Sequence, residues 1–262
     1  MHKKKAVFFD IDGTLWNEKN EIPPSAIKAI HRLREKGNLA FLCSGRCRAH
    51  IRSRELLGIG FDGIVSGCGT MIEYAGETVF YKKIENELVE HTIRTVRQYG
   101  CRPILEGREY VYLDEEEFAG SYFGRKLREE MGDHLLSVSG QWGKWEISKL
   151  TCATESADTE RCFEALKESY DFMIHNPAVV EMVPKGYHKG VGISKVCELL
   201  GLDLEDTFAF GDSANDLGML RTAGTSVAMG NGSDEAKAAA DYVTDTLMED
   251  GIWKACEHLE LL

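Results

Sequence analysis

Short apolar segments alternate with segments of helical periodicity at both ends of this 262-residue chain. The apolar segments that predict buried strands lie at 6–9, 39–43, 61–66, 207–210 and 226–229. The intervening segments predict helices from Pro24, from the Ser44-Gly45-Arg46 turn to about Leu57, from Gly190 to Leu200 and after Asp212. Strands that alternate with helices pair in parallel, because each helix returns the chain to the same edge of the sheet. The sequence therefore predicts an α/β fold with a doubly wound parallel sheet.

The middle of the chain, from about Lys82 to Pro184, does not follow this alternation. It combines helical patterns with isolated strand-like segments, such as 110–113 and 145–149. We interpret residues 82–184 as a second, α+β domain that is inserted into a first domain. Residues 1–81 and 185–262 would form that first domain.

The charge balance and the cysteines restrict the partners and the compartment. The chain carries 31 Lys+Arg against 43 Asp+Glu, a net charge of -12, which argues against nucleic acid as a partner because phosphate backbones attract clustered basic residues. A small phosphorylated molecule needs only a local positive pocket and is not excluded. No apolar run approaches the roughly 18–20 residues of a membrane span. Eight scattered cysteines without a C-x-x-C pair predict reduced thiols and a cytoplasmic location.

Two carboxylates, Asp10 and Asp12, directly follow the first predicted strand in the segment D-I-D-G-T-L. Ligands of open α/β sheets bind at the carboxyl ends of the strands. A turn that begins at Asp12-Gly13 can bring both carboxylates to one site, where one attacks and the other transfers a proton. By itself, the D-x-D-G pattern is explained equally well by an acidic turn that caps the next segment.

Two further features suit the binding of an anion. Ser44-Gly45 follows the second predicted strand, where a hydroxyl and a backbone N–H can hold a phosphate oxygen. Lys189 stands just before a predicted helix, and its ammonium adds to the N–H groups of the helix N-terminus. Taken singly, the first is a common turn and the second a common exposed lysine.

Asp212 and Asp216 follow the predicted strand at 207–210, with Asn215 between them. Four acidic side chains that converge at strand ends repel one another unless a cation lies among them. Hard oxygen ligands select Mg²⁺, which binds through one or two carboxylates, waters and substrate phosphate. The sequence therefore predicts a metal-assisted phosphoryl-transfer site.

In this order, the segments D-I-D-G-T-L, C-S-G-R, H-K-G and G-D-S-A-N-D resemble the four motifs of the haloacid dehalogenase superfamily of phosphatases. The insertion between the second and third motifs resembles the α+β cap of the Cof-type branch, subfamily IIB. The later segments V-A-M-G-N-G and E-D-G-I are also similar to that branch. The resemblance implies a Rossmann-like catalytic core of residues 1–81 and 185–262, with a substrate-specificity cap of residues 82–184.

The resemblance also implies a role for each motif residue. Asp10 would be the nucleophile, forming an aspartyl-phosphate, and a Mg²⁺ ligand. Asp12 would protonate the leaving oxygen and then activate water, while its backbone carbonyl touches the metal. The residues that would bind the phosphoryl group are Ser44, Gly45, Lys189 and Asn215, and Asp212 and Asp216 would complete the metal site.

The chain departs from the family pattern at Cys68-Gly69-Thr70, where relatives often have Asn-Gly-Ala. This departure puts one polar contact near the site in doubt. In the insertion, Trp142 and Trp145 are candidates to stack on a substrate ring, or they form the inside of a hairpin. Glu181 is a candidate to touch substrate, or it pairs with a neighbouring side chain.

Three functions remain open from the sequence. The first is a Mg²⁺-dependent phosphatase of small phosphomonoesters, such as a sugar phosphate. The second is a phosphomutase or phosphotransferase of the same superfamily. The third is a non-catalytic, metal-binding regulatory module, which would have no need of Asp12 as a second proton-handling carboxylate. The substrate and the oligomeric state are not determined by the sequence.

Overall fold

The computed structural model describes residues 3–262, with the backbone alone at positions 175 and 176. The strands are β1 (Ala6–Phe9), β2 (Leu39–Cys43), β3 (Gly63–Ser66), β4 (Met71–Tyr74), β5 (Glu77–Tyr81), β6 (Arg102–Gly107), β7 (Val111–Tyr112), β8 (Leu135–Leu136), β9 (Ile147–Ala153), β10 (Tyr170–Asn176), β11 (Val179–Pro184), β12 (Thr207–Gly211), β13 (Thr225–Ala228) and β14 (Tyr242–Val243). The helices are α1 (Pro24–Glu35), α2 (Arg54–Gly58), α3 (Asn86–Gln98), α4 (Tyr122–Met131), α5 (Thr159–Leu166), α6 (Lys189–Leu200), α7 (Leu217–Leu220), α8 (Asp234–Ala239) and α9 (Gly251–His258).

The chain divides into two compact units. The first unit consists of the described residues up to Gly45, Arg52–Phe80 and His188–Leu262. The second unit consists of Arg46–Ile51 and Tyr81–Tyr187. The short segment Arg46–Ile51 therefore belongs to the second unit, although it lies in the sequence far from the rest of that unit.

Within the described residues, the first unit contains an eight-stranded sheet in the order β14-β13-β12-β1-β2-β3-β4-β5. The pairs from β14 to β3 are parallel, and β4 is antiparallel to β3. All four residues of β1 are fully buried, as is expected of a strand that helices cover on both faces. The predicted α/β class with a doubly wound parallel sheet is confirmed. Because β1 lies between β12 and β2, the residues that follow these three strands meet at one edge.

Helices cover the two faces of this sheet in separate groups. Helices α6, α7 and α8 pack on the face that presents Phe8, Phe41 and Ala209. Helices α1 and α9 pack against each other, and α1 contacts β2. Alternate residues of the central strands are apolar on both faces, so each group of helices finds an apolar surface.

The helix predicted from the Ser44-Gly45-Arg46 turn to Leu57 is wrong as a single element. A single 3₁₀ turn covers Arg48–His50, and α2 begins only at Arg54. The Ser53 hydroxyl accepts the Leu56 N–H at 3.2 Å and caps the start of α2. The predicted helix is interrupted because its two parts pack in different units: Arg46–Ile51 belongs to the second unit and α2 to the first.

The second unit contains, within the described residues, a six-stranded sheet in the order β10-β11-β9-β6-β7-β8. Its pairs are antiparallel except for β7 with β8. One face packs on α3 and α5 through an apolar cluster that includes Val96, Leu150 and Leu166. The predicted α+β character of the insertion is confirmed.

The two tryptophans of the second unit differ in exposure. Trp145 is fully buried in the apolar cluster, and its indole N–H donates to the Val138 carbonyl at 3.0 Å. Trp142 is 39% exposed and packs edge-on against it, with ring centroids 5.0 Å apart. Trp145 is therefore a core residue and is not available to stack on a ligand.

Every helix within residues 3–262 is too short or too polar to cross a bilayer.

The close approach of α6 and α7 generates a prediction. A Cβ at Gly190 would lie 2.3 Å from the Gly218 carbonyl oxygen and from the Thr222 hydroxyl. We expect Gly190→Ala to destabilise the protein by about 1–3 kcal/mol, as overpacking does. Gly58→Ala is the matched control, because a Cβ there meets open space, and it should be neutral or stabilise by about 0.4–1 kcal/mol. Urea unfolding measures both; an unchanged midpoint for Gly190→Ala would refute the packing argument.

Candidate active site

The first carboxylate of the site, Asp10, directly follows the fully buried strand β1. Its backbone N–H donates to the Phe210 carbonyl at 3.0 Å, which continues the pairing of β1 with β12, and the residue is 3% exposed. The chain then turns at Gly13, which has a φ of +86°. A Cβ at Gly13 would lie 2.4 Å from Asp212 Oδ2, so only glycine fits. The turn therefore brings the loop after β1 against the loop after β12.

The loop after β12 is fixed by Asp216, which is fully buried. Its Oδ2 accepts the backbone N–H groups of Asp212 at 2.9 Å and of Ser213 at 3.0 Å. The contact with Ser213 is reciprocal and forms a capping box at the start of a short 3₁₀ turn, Ala214–Asp216. Asp216 thus positions Asp212 through backbone hydrogen bonds.

Lys189, the first residue of α6, connects these loops. Its ammonium lies 2.5 Å from Asp10 Oδ1 and 2.6 Å from Asp216 Oδ1. It also donates to Asn215 Oδ1 at 3.1 Å. All three charged side chains are buried, the lysine completely. The sequence analysis predicted that Lys189 helps to bind an anion. In the structure, the anionic groups that Lys189 contacts are the carboxylates of the protein itself.

Burial and charge have opposite effects on these groups. Burial lowers the pKa of Lys189, but Asp10 and Asp216 outweigh it and hold that pKa well above its usual range. Burial and the neighbouring Asp216 raise the pKa of Asp10, while Lys189 opposes the rise. Burial and Asp216 raise the pKa of Asp212 to about 6. The site is therefore short of positive charge, because a single ammonium faces three carboxylates.

The carboxylates fit a divalent cation in chemistry and in placement. Oxygens of Asp10, Asp212 and Asp216 lie within 4.8 Å of one another. Oxygen donors of this kind suit Mg²⁺, and a cation would supply the charge that the raised pKa values of Asp10 and Asp212 show to be lacking. Asp12 is not a member of this trio. Its side chain is exposed and accepts the Trp16 indole N–H at 2.9 Å.

Ser44 and Gly45 follow β2, the neighbour of β1. Ser44 is 1% exposed; its backbone N–H donates to the Val65 carbonyl at 2.9 Å, and its carbonyl accepts the Cys68 N–H at 3.1 Å. Cys68 has a φ of 57°, a left-handed conformation that asparagine adopts more readily than cysteine. Cys68 is therefore a strained backbone position next to the phosphate-binding candidate Ser44.

Three polar residues of the site were not singled out by the sequence analysis. The Thr14 hydroxyl donates to Asp212 Oδ1 at 3.3 Å. The Asn231 amide donates to the Gly13 carbonyl at 2.8 Å and accepts the Leu247 N–H at 2.8 Å. The His188 side chain accepts the Gly190 N–H at 3.1 Å and caps α6. Only the T in D-I-D-G-T-L and the N in V-A-M-G-N-G could have indicated the first two.

A cavity of about 580 Å³ adjoins the loops after β1 and β12. Asp12, Gly13, Asp212 and Asn231 line it. Its size is within the range of small-molecule sites. The exposed carboxylate of Asp12 can therefore reach a ligand, whereas Asp216 is fully enclosed.

This architecture is that of haloacid dehalogenase-like phosphatases: a doubly wound sheet with an inserted α+β unit and an aspartate–lysine cluster at its carboxyl edge. The family model for haloacid dehalogenase-like hydrolases matches residues 7–256, and the chain belongs to that family. It is a phosphatase of the Cof-type branch.

Individual relatives span nearly the whole chain. YkrA of Bacillus subtilis (strain 168) is 31% identical over 98% of this chain and 98% of its own. YcsE of the same organism, a 5-amino-6-(5-phospho-D-ribitylamino)uracil phosphatase, is 29% identical over 97% of this chain and 95% of its own. The solved structure of the subclass IIB sugar phosphatase BT4131 has a TM-score of 0.80 and 29% identity, covering 99% of this chain and 100% of that one. These relatives imply small phosphorylated substrates.

Lys189→Met tests the electrostatic account of the site. Removing the ammonium leaves Asp10 and Asp216 buried without their counter-charge, which should cost about 3–5 kcal/mol of stability at neutral pH. The folded-state pKa of Asp10 would then rise further above its unfolded value. The variant should therefore regain stability as pH falls and lose it as pH rises through that folded-state pKa.

The measurement is urea unfolding at several pH values in the presence of a chelator. Lys36→Met, at an exposed lysine that ends α1, is the control for loss of one positive charge. Equal stability of the two variants at neutral pH would contradict the account.

Proposed function

We propose that this phosphatase is Mg²⁺-dependent and hydrolyses small phosphomonoesters through a phosphoryl group carried by Asp10. One observation carries the proposal: Asp10 directly follows the central strand β1 and shares one buried ammonium with Asp216, beside Asp212. A carboxylate that a buried ammonium holds in a fixed position, at the end of a strand, is placed to attack phosphorus. The substrate class favoured by the names of the relatives is a phosphorylated metabolite such as a sugar phosphate.

The first half-reaction would transfer the phosphoryl group to the protein. A carboxylate oxygen of Asp10 attacks phosphorus, and the bond from phosphorus to the alcohol oxygen breaks. Asp12, in its protonated form, gives its proton to the leaving alcohol. The hydrogen bond from the Trp16 indole holds Asp12 in place at the cavity. An exposed carboxylate suits this role because it can exchange protons with solvent.

The second half-reaction would return the protein to its starting state. Asp12, now ionised, takes a proton from a water molecule as that water attacks phosphorus. The bond between phosphorus and the Asp10 oxygen breaks, and inorganic phosphate leaves. One carboxylate thus serves first as acid and then as base, which requires that its proton be lost and regained within one turnover.

The remaining motif residues would hold the phosphoryl oxygens and the cation. Ser44, Gly45, Lys189 and Asn215 would bind the phosphoryl group, and Lys189 already contacts both Asp10 and Asn215. Asp10, Asp212 and the Asp12 backbone carbonyl would hold Mg²⁺, with Asp216 supporting Asp212. The cation, when bound, neutralises charge on the phosphoryl group and the carboxylates. We also propose a cytoplasmic location, on the basis of eight cysteines that are all buried and include no C-x-x-C pair.

The first prediction of this proposal concerns the two loop aspartates. Asp10→Asn should reduce hydrolysis of an aryl phosphate by roughly 10³-fold or more, because it removes the nucleophile. Asp12→Asn should reduce it by about 10²–10⁴-fold, because it removes the proton carrier. Asp203→Asn, at an exposed residue that pairs with Lys3, is the matched control and should retain full activity. Appreciable activity of Asp10→Asn, with an unchanged melting temperature, would exclude Asp10 as the nucleophile.

The second prediction concerns the cation and the acceptor. A chelator should abolish phosphate release from the wild-type protein, and added Mg²⁺ should restore it. In the presence of a sugar or alditol acceptor, inorganic phosphate should remain the main product. Activity that survives the chelator would contradict the metal requirement. Transfer to the acceptor without phosphate release would establish a phosphotransferase instead of a hydrolase.

A further inference from the structure

The exposed side of the loop after β1 is held by a residue that lies outside the four sequence motifs. The Asn231 side-chain amide donates to the Gly13 carbonyl at 2.8 Å, and the side-chain oxygen of Asn231 accepts the Leu247 N–H at 2.8 Å. These two bonds join the loops after β1, β13 and β14. Asn231 and Asp12 line the same cavity, so the contact lies beside the proposed proton carrier.

The turn of residues 11–16, which carries Asp12, is closed by its own hydrogen bonds. The Gly13 N–H donates to the Trp16 carbonyl at 2.9 Å, and the Trp16 N–H donates to the Ile11 carbonyl at 3.1 Å. The Trp16 indole donates to the Asp12 carboxylate at 2.9 Å. We therefore expect the turn to move as one unit, so that any displacement of Gly13 also displaces the Asp12 carboxylate.

Gly13 is the position at which this turn can flex. Its φ of +86° costs glycine little, and glycine has more backbone freedom than any other residue. On the buried side of the turn, the Thr14 hydroxyl donates to Asp212 Oδ1 at 3.3 Å. On the exposed side, the bond from the Asn231 amide to Gly13 is shorter, at 2.8 Å. Asn231 thus restricts the backbone at the most flexible position of the turn.

The backbone around Asn231 is fixed by neighbouring loops. The Gly230 N–H donates to the Asp245 carbonyl at 3.0 Å, and the Ser233 N–H donates to the Asp212 carbonyl at 2.7 Å. The side-chain oxygen of Asn231 is fixed as well, because it accepts a backbone N–H from the loop after β14. A side chain that is held in this way can in turn hold the group to which it donates.

A contribution to stability does not account for this contact. Asn231 is exposed, and an exposed hydrogen bond competes with water, so its net contribution to stability is small. Ordering the side chain also costs conformational entropy. A contact that fixes the geometry of a catalytic loop has a larger effect on rate, since a misplacement of about 1 Å can cost roughly 10²-fold.

We propose that Asn231 is a positioning residue for the phosphatase reaction. It holds Gly13, and through Gly13 the whole turn, so that the Asp12 carboxylate is directed at the leaving oxygen. Asn231 acts through Asp12 and not on the substrate itself. The inference rests on the role proposed for Asp12 as proton carrier, and it adds a residue of the loop after β13 to the site.

Two aryl phosphates with different leaving groups test the inference. Phenolate is a poorer leaving group than 4-nitrophenolate, so its departure depends more on a donated proton. The ratio kcat/KM reports the first half-reaction, in which that proton is transferred. Asn231→Ala should lose roughly 10–10²-fold in kcat/KM for phenyl phosphate, and its loss for 4-nitrophenyl phosphate should be smaller by about threefold or more. Asp12→Asn should show the same selectivity to a greater degree.

The double variant Asp12→Asn/Asn231→Ala shows whether Asn231 acts through Asp12. If Asn231 only positions the Asp12 carboxyl group, its removal should have less than about twofold further effect once that group is absent. The substrate for this comparison is 4-nitrophenyl phosphate, which depends least on the donated proton. If the losses of the two single variants multiply in the double variant, the inference is overturned.

The matched control is Asn86→Ala. The Asn86 amide also donates to a glycine carbonyl, that of Gly143, at 2.7 Å, and it lies on the surface of the second unit. This variant should keep the wild-type kcat/KM for both substrates, and its melting temperature should fall about as much as that of Asn231→Ala. A much larger fall for Asn231→Ala, with activity that returns on cooling, would show a structural role and overturn the inference.

Failure of the inference is distinguishable from failure of the proposed function. If Asn231→Ala slows both substrates equally while Asp12→Asn is selective, the inference is wrong and the role of Asp12 stands. If Asp12→Asn shows no selectivity, the proposed role of Asp12 is wrong, and the inference is overturned with it.

Discussion

A single ammonium group, buried among carboxylates, is the interaction on which the first unit depends. Lys189 contacts Asp10 and Asp216, and these residues come from the start of α6, the end of β1 and the loop after β12. In a buried site, like charges repel strongly and an opposite charge is correspondingly valuable. The lysine therefore joins three distant segments of the chain, and its charge alone does not balance the carboxylates around it. The same imbalance makes the site receptive to a cation, and the charge of a bound cation would in turn favour an anionic phosphoryl group.

Glycines let the backbone approach these charges closely. A Cβ at Gly13 would overlap the Asp212 carboxylate, and one at Gly211 would lie 2.6 Å from Asp216 Cβ. Gly190, next to Lys189, meets the backbone of Gly218 in the same way. Three of the four sequence motifs thus contain a glycine for a steric reason, which is that a charged side chain or a neighbouring backbone occupies the space a side chain would need. The motifs describe the packing around one electrostatic cluster.

The sequence predicted the parallel sheet and the convergence of four aspartates, Asp10, Asp12, Asp212 and Asp216, because apolar strand patterns and strand order place these residues at one edge. The structure brings the carboxylates of three of them together and leaves that of Asp12 exposed. It did not predict that Arg46–Ile51 leaves the first unit, since that depends on Cys47 and Ala49 packing against distant residues of the second. The alternation at 147–153 could have indicated one charged and one apolar face of β9, but only strand pairing shows which partners Lys149 has. The features that the sequence analysis did not predict depend mostly on interactions between residues that are far apart in sequence.

The central claim is that the Lys189 cluster exists to let Asp10 carry a phosphoryl group. The most direct measurement is a single-turnover reaction with a phosphomonoester, quenched with acid and followed by mass-spectrometric mapping of the phosphorylated residue. The account predicts a phosphoryl group on Asp10 that is sensitive to hydroxylamine, as an acyl phosphate is. A phosphoryl group on another residue would contradict the account. So would turnover in which a rapid quench traps no phosphoprotein even when hydrolysis of the phosphoprotein is slowed.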